Sequence, residues 1–222
     1  MGYQFTSNLA TDLGRIPYRD AYGLQRHLLD LVRRGNRRGF LLFLEHEPVY
    51  TLGRKPIKEN YEGVETVQTE RGGDVTYHGP GQRVIYPIVD ISENGKVDVR
   101  DFVHFVEGTV ISILGKAGYR AFVGEEPGIW IHSTAGERKV ASIGMAIDHG
   151  ISYHGISINT SDDVLTGFSK IRPCGLEPSV MGYASLRDED ILQGFMGAFS
   201  ERFGGFVLEN SGDFLRDVSF TF

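Results

Sequence analysis

Disulfide chemistry is excluded at the outset, because the 222 residues contain one cysteine, Cys174. A reducing, cytoplasmic setting is the expectation that follows. No apolar run approaches the ~18–20 residues of a membrane span, and the opening MGYQFTSNLATD has no signal-peptide pattern. Positive charge is not in excess: 23 Lys and Arg stand against 29 Asp and Glu, for a formal net charge of −6. That argues against a general nucleic-acid binder, which needs a basic face. Neither GxxxxGK followed by Ser or Thr nor GxGxxG is present, so the phosphate-cradle reading is weak. Repeats, low-complexity tracts and long linkers are also missing, and residues 1–222 are expected to form a single domain.

Glycine is what the chain has in surplus: 29 of 222 residues, nearly twice the usual share of about 7%. Four of these glycines fall in RGGDVTYHGPGQ at 71–82, interleaved with Arg71, Asp74, Tyr77 and His78. Gly72-Gly73 and Gly79-Pro80-Gly81 allow tight turns and close backbone approach to a ligand, which the polar residues between them would orient. An ordinary turn between two strands is the alternative reading of the same composition.

In chain order, GYQFTSNL at 2–9 reads as a first strand, and Asp20 to Arg34 as an amphipathic helix with Ala21, Leu24, Leu28, Leu31 and Val32 on one face. The continuous apolar run Phe40–Leu44 suits a strand covered on both faces. A strand at 84–91 follows the Gly-rich stretch. Asp98 is placed to cap a helix running to about Gly118, with Phe102, Val103, Phe105, Val106, Val110, Ile113 and Leu114 toward a core. Strands are expected at 119–123, 128–132, 139–148 and 151–159, with Ala135-Gly136-Glu137 as a turn. A loop bearing Cys174 precedes a last helix from Asp188 to Phe203, and the tail from Gly204 looks less regular. The order of elements favours one α+β domain with a mixed sheet.

Two residues bear the chemistry, and each has a plain alternative. A lone cysteine is often a small buried hydrophobe, but Arg172-Pro173-Cys174-Gly175 marks a loop with a cation beside the sulfur, and a nearby cation favours the nucleophilic thiolate. Lys139 opens a strand; it is either solvated or held against Cys174. His78 reads equally as a turn histidine or a catalytic one. His149 and His154 lack a third ligand, so no zinc site is expected. With seven histidines, a generic Cys–His hydrolase remains arithmetically open.

Five blocks taken in order resemble one family: LEHEPVYTLGR at 44–54, RGGDVTYHGPGQ at 71–82, KVASIG at 139–144, HGISIN at 154–159 and RPCGL at 172–176. Over about residues 40–187 the chain resembles the lipoyl(octanoyl) transferases, octanoyl-carrier-protein:protein octanoyltransferases also called lipoate-protein ligase B. The resemblance implies the catalytic-domain fold of biotin and lipoate ligases, an α+β mixed sheet with packed helices. It also implies Cys174 as the acyl-thioester nucleophile and Lys139 as the residue that lowers its pKa. Substrate contacts would fall on Arg71, Gly72, Gly73, Asp74, Val75, Thr76, Tyr77 and His78, on Ser142, Ile143 and Gly144, and on Gly155, Ile156 and Ser157. No cofactor or metal is implied.

By the same resemblance the donor is octanoyl-acyl carrier protein. The acceptors are lipoyl domains of 2-oxoacid dehydrogenases and the glycine cleavage H protein. An apolar slot is required, with Val75, Tyr77, Ile143 and Ile156 as candidate walls. Amides near Gly72-Gly73 or Gly144 are candidate oxyanion donors. An acidic carrier meeting a net-negative enzyme calls for a local basic patch, and Arg33, Arg34, Arg37 and Arg38 are the densest cluster. The rivals are an ATP-dependent lipoate or biotin ligase on the same scaffold, a non-catalytic binding module, and the Cys–His hydrolase above.

Overall fold

The computed structural model describes residues 7–35, 39–93, 95–134 and 136–222. Strand β1 (Asn8–Ile16) leads into helix α1 (Tyr18–Arg33), followed by β2 (Gly39–His46), β3 (Val49–Leu52), β4 (Val67–Gln68), β5 (Val75–His78) and β6 (Gln82–Val89). The hairpin β7 (Ser92–Glu93) and β8 (Lys96–Val97) precedes α2 (Val99–Lys116). A meander of β9 (Ala121–Val123), β10 (Ile129–Ser133), β11 (Gly136–Asp148) and β12 (Ile151–Asn159) comes next. Helices α3 (Asp163–Phe168) and α4 (Asp188–Phe203), strand β13 (Phe206–Glu209) and helix α5 (Ser211–Asp217) complete the chain.

Eight strands form one sheet in the order β13-β1-β2-β6-β12-β11-β10-β9. It is mixed: β1 runs parallel to both β2 and β13, and the remaining pairs are antiparallel. A small sheet, β4-β3-β5, stands beside it. Both faces of the large sheet are covered, which explains the unbroken apolar run in β2. Leu41 and Phe43 join Phe102, Val106, Phe195 and Phe199 of α2 and α4 on one face. Phe40, Leu42 and Leu44 join Leu24, Leu28 and Phe214 of α1 and α5 on the other. Each of these fully buried side chains contributes about 1.5–3 kcal/mol relative to exposure. A third cluster, with Val75, Tyr77, Val164 and Phe168, packs α3 onto the small sheet.

The long periodic elements lie where the residue pattern puts them. Asp98 caps α2, its carboxylate accepting from Asp101 N–H at 2.9 Å. Corrections fall on short elements. The first strand is Asn8–Ile16 instead of 2–9, of which residues 2–6 lie outside the described part. The tail after Gly204 holds a strand and a helix, because four residues of β13 gain their partners from β1, nearly two hundred positions earlier. Gly136 and Glu137 belong to β11; Ala135 lies outside the described residues. Of the basic cluster, Arg33 is engaged by Asp30 at 3.1 Å and Asp148 at 2.6 Å, while Arg37 and Arg38 lie outside the described residues.

Candidate active site

A cavity of about 510 Å³ opens between the large sheet and the 71–76 segment. Cys174 and Lys139 both line it. So do Arg71, Gly72, Gly73, Val75, Thr76 and His78 from one side, and Ser142, Ile143, Gly144, Gly155, Ile156 and Ser157 from β11 and β12. Asp74 and Tyr77 do not. Tyr77 turns into the third core cluster, its ring against Tyr50 and Phe168, so it is no wall of an acyl slot. Asp74 is buried behind the wall, accepting from Ile57 N–H at 2.9 Å and Asn60 Nδ2 at 2.5 Å. Asn60 in turn accepts Arg172 N–H at 2.8 Å, so Asp74 braces the loop that carries Cys174.

Lys139 reaches the cavity because β11 is bulged. Ala141 pairs with Ile129 but Lys139 pairs with Trp130, leaving Val140 extra. Strict alternation would put residue 139 on the same face as Ala141, inside the α2–α4 core. The extra residue flips it to the other face, a common use of a bulge beside a site. The side chain is 2% exposed. Burial lowers its pKa from the ordinary lysine value, opposed by the negative charges of Cys174 first and Glu126 second.

Gly128 covers that lysine. Its φ is +133°, and a Cβ there would lie 2.5 Å from Lys139 Cε and 2.6 Å from Ala141 O. Gly128→Ala is expected to cost about 2 kcal/mol of stability through backbone strain and overpacking and to lower transfer by about 10²-fold by displacing the amine. Urea midpoints and kcat test the two parts separately; unchanged kcat would show that Lys139 tolerates the shift.

Cys174 is exposed at the cavity rim, on a single turn formed by Pro173–Gly175. Its backbone is left-handed, with φ 55° and ψ 30°, followed by Gly175 at φ +78°. Such a conformation costs a non-glycine residue about 1–2 kcal/mol and is stored where the surroundings hold it. Here Gly175 N–H donates to Arg172 O at 3.0 Å and Leu176 N–H to Pro173 O at 3.1 Å. The Arg172 guanidinium does not face the sulfur alone: it pairs with Glu177, and both side chains are solvated.

Arg71 is a second buried basic residue of the cavity. It donates to Thr51 O at 2.6 Å, Asp74 O at 2.7 Å and Gly72 O at 3.0 Å, all carbonyls. Three histidines beneath it are held neutral. His46 donates or accepts at Tyr86 OH, 2.7 Å away, and burial takes its pKa down to about 4. His78 donates from Nδ1 to Gln82 Oε1 at 2.6 Å, and burial, then the charge of His46, takes it to about 3. His154 has a left-handed φ of +56°, which stacks its ring on Tyr22 of α1 at 5.7 Å. Burial lowers it to about 4, opposed by Glu70. His149 is exposed at the hairpin turn, bound to Asp148, so the two histidines do not converge.

Of the suggested oxyanion donors, Gly72 N–H is already given to Met145 O at 3.1 Å. That bond turns Met145 away from β12, so ladder alternation puts Gly144 in a hydrogen-bonded pair with Gly155 and uses its N–H as well. Residues that the pattern reading did not single out also build the site. Gly53 runs alongside Gly73, where a Cβ would lie 2.3 Å from Gly73 O. The glycine within LEHEPVYTLGR was the available signal for it. Tyr18 and Tyr86 line the cavity with no local signature at all.

Residues 17–193 match the family described as the lipoyl protein ligase A/B catalytic domain. The chain belongs to this family. Curated relatives of the chain are named octanoyltransferase. That of Pelobacter propionicus is 38% identical over 171 residues, 76% of this chain and 79% of the relative. That of Syntrophotalea carbinolica is 40% identical over 168 residues, covering 74% and 77%. That of Acidobacterium capsulatum is 36% identical over 235 residues, covering 93% and 95%. Among solved structures, lipoate-protein ligase A bound with ATP has a TM-score of 0.68 at 13% identity, covering 97% of this chain and 93% of that one. A bipartite lipoate protein ligase from Thermoplasma acidophilum has 0.64 at 15%, covering 96% and 91%. At such identities these two establish the shared fold, the α+β mixed sheet of the ligase family.

Proposed function

We propose that this protein moves an octanoyl group from an acyl-carrier-protein thioester to the ε-amine of a lysine on a lipoyl domain, through a thioester on Cys174. The Cys174 thiolate adds to the donor carbonyl, the bond to the carrier sulfur breaks, and the carrier leaves as a thiolate that takes up a proton to become a thiol. The acceptor amine then adds to the Cys174 thioester, gives up a proton and expels the Cys174 thiolate, leaving an amide. Both leaving groups are thiolates, so no nucleotide is consumed. Acceptors would be lipoyl domains of 2-oxoacid dehydrogenases and the glycine cleavage H protein.

The observation that carries this reading is electrostatic: Cys174 and Lys139 line one cavity, and the charge of Cys174 raises the proton affinity of Lys139. A nearby cation is the setting in which a cysteine acts as a nucleophile. Acylation removes the charge on sulfur. Burial, the larger influence, then acts on Lys139 less opposed, and its amine becomes the better proton acceptor when the acceptor lysine must lose one. Octanoyl burial along Val75, Ile143 and Ile156 offers roughly 5 kcal/mol at ~0.8 kcal/mol per methylene. Neighbouring chain lengths should be poorer but usable donors.

Mixing the protein with octanoyl-acyl carrier protein should add one octanoyl group to Cys174 by intact mass and peptide mapping. Adding lipoyl domain should move that group to the domain's lysine. Release as free octanoate instead would favour a hydrolase, and no adduct would remove the reading. Lys139→Ala should slow iodoacetamide alkylation of Cys174 near neutral pH by about tenfold; an unchanged rate would take Lys139 out of the mechanism.

A further inference from the structure

Past Ala141 strand β10 no longer pairs, and among the described residues strand β11 from Ser142 to Asp148 has a strand neighbour only on its β12 side. In an antiparallel ladder alternate residues turn both N–H and C=O away from the partner. Met145 is one of these, since its carbonyl accepts from Gly72. The register is unbroken from Ala141 to Asp148, so the N–H and C=O of Ile143 point outward too. Among the described residues, no hydrogen bond outside the strand ladders engages either group. The cavity is lined by six consecutive residues of this strand, Ser142 to Ile147. A strand presenting a face contributes alternate residues; a consecutive run marks an edge.

We propose that the outward N–H and C=O of Ile143 pair with an amide of the donor's pantetheine arm, adding it to the sheet as a one-amide strand. This rests on the acyl-transfer reading above and names which part of the donor the edge recognises. A polypeptide strand needs an uninterrupted row of outward groups. That row is interrupted here, because Gly72 already occupies Met145 O. What remains between Ala141, paired with β10, and Met145, bonded to Gly72, is the N–H and C=O of Ile143, on the cavity that Cys174 and Lys139 also line. A pantetheine arm is thin, carries peptide-like amides, and has the nearest of them within a few bonds of the thioester sulfur.

The test compares S-octanoyl pantetheine with S-butyl thiooctanoate, an amide-free donor of the same acyl group. The expected result is a preference for the amide-bearing donor of about tenfold or more in kcat/KM, expressed in KM, because the contact persists from ground state to transition state. Ile143→Pro removes the outward N–H, which an edge strand tolerates, together with the side chain that Ile143→Ala removes on its own. It should cut that preference severalfold, whereas Ile143→Ala keeps it. Equal kcat/KM for the two donors in the unaltered enzyme overturns the proposal without any variant. An equal drop in kcat for both donors in Ile143→Pro also overturns it, assigning the N–H to the thioester oxyanion. Failure of Cys174 to acquire octanoyl from either donor is a different outcome, and it sinks the acyl-transfer reading itself.

Discussion

Cys174→Ser is expected to lower octanoyl transfer by about 10³-fold or more while leaving the unfolding midpoint nearly unchanged. The loss follows from the nucleophile: a serine hydroxyl is not ionised near neutrality and must lose its proton before it attacks, whereas a thiol ionises far more readily. Lys139 in its amine form would have to serve as base, against the burial of a positive charge that this creates. The unchanged stability follows from position. Cys174 is exposed, belongs to no core cluster, and sits in a left-handed turn that serine enters at the same cost. Residual transfer and urea midpoint together decide the matter. Activity within tenfold of the unaltered protein would mean that the acyl group never rests on sulfur, and a large stability loss would mean that Cys174 has a structural duty.

Stability is expected to fall steeply between about pH 6.5 and 4. His46, His78 and His154 have folded pKa values pushed down to about 4, 3 and 4, chiefly by burial. In the unfolded chain each titrates near 6.5. Because the folded values are depressed, the unfolded state binds more protons in this window. Stability is therefore fully present above about pH 6.5 and drains away as pH falls toward the folded values. At about pH 5 unfolding takes up two to three protons, and each contributes a slope of about 1.4 kcal/mol per pH unit. A loss of about 3–4 kcal/mol per unit is a large share of a typical domain's 5–15 kcal/mol. Urea midpoints from pH 7 to 5 measure the slope directly. Replacing His78 with glutamine should remove about one proton from the uptake, and a flat profile would show that the histidines protonate inside the folded state.

Sequence periodicity carried much of this architecture. The amphipathic spacing of α1, the Asp98 cap of α2, the apolar run of β2 and the limits of α4 were all legible, since each depends on neighbours within a few turns. The parallel β13–β1 pairing was not, because it joins the two ends of the chain through an element of four residues. The same division runs through the site. The five blocks identified Cys174, Lys139 and most of the residues around them as candidates, but gave Tyr77 and Asp74 the same standing as true cavity residues. Which way a side chain turns at 74 or 77 depends on α3 and on Asn60, elements distant in the chain.

What residue order alone determined, then, was the inventory: one sulfur, one lysine opening an apolar strand, a glycine-rich turn, and a family whose blocks recur in sequence. What only tertiary structure decided was orientation. An extra residue at Val140 rotates Lys139 out of the core and into the cavity, left-handed backbones aim Cys174 and His154, and the end of β10 leaves the Ile143 edge open. Composition and spacing encode preferences averaged over many contexts, whereas a bulge or a strained φ persists only because the packed surroundings hold it there.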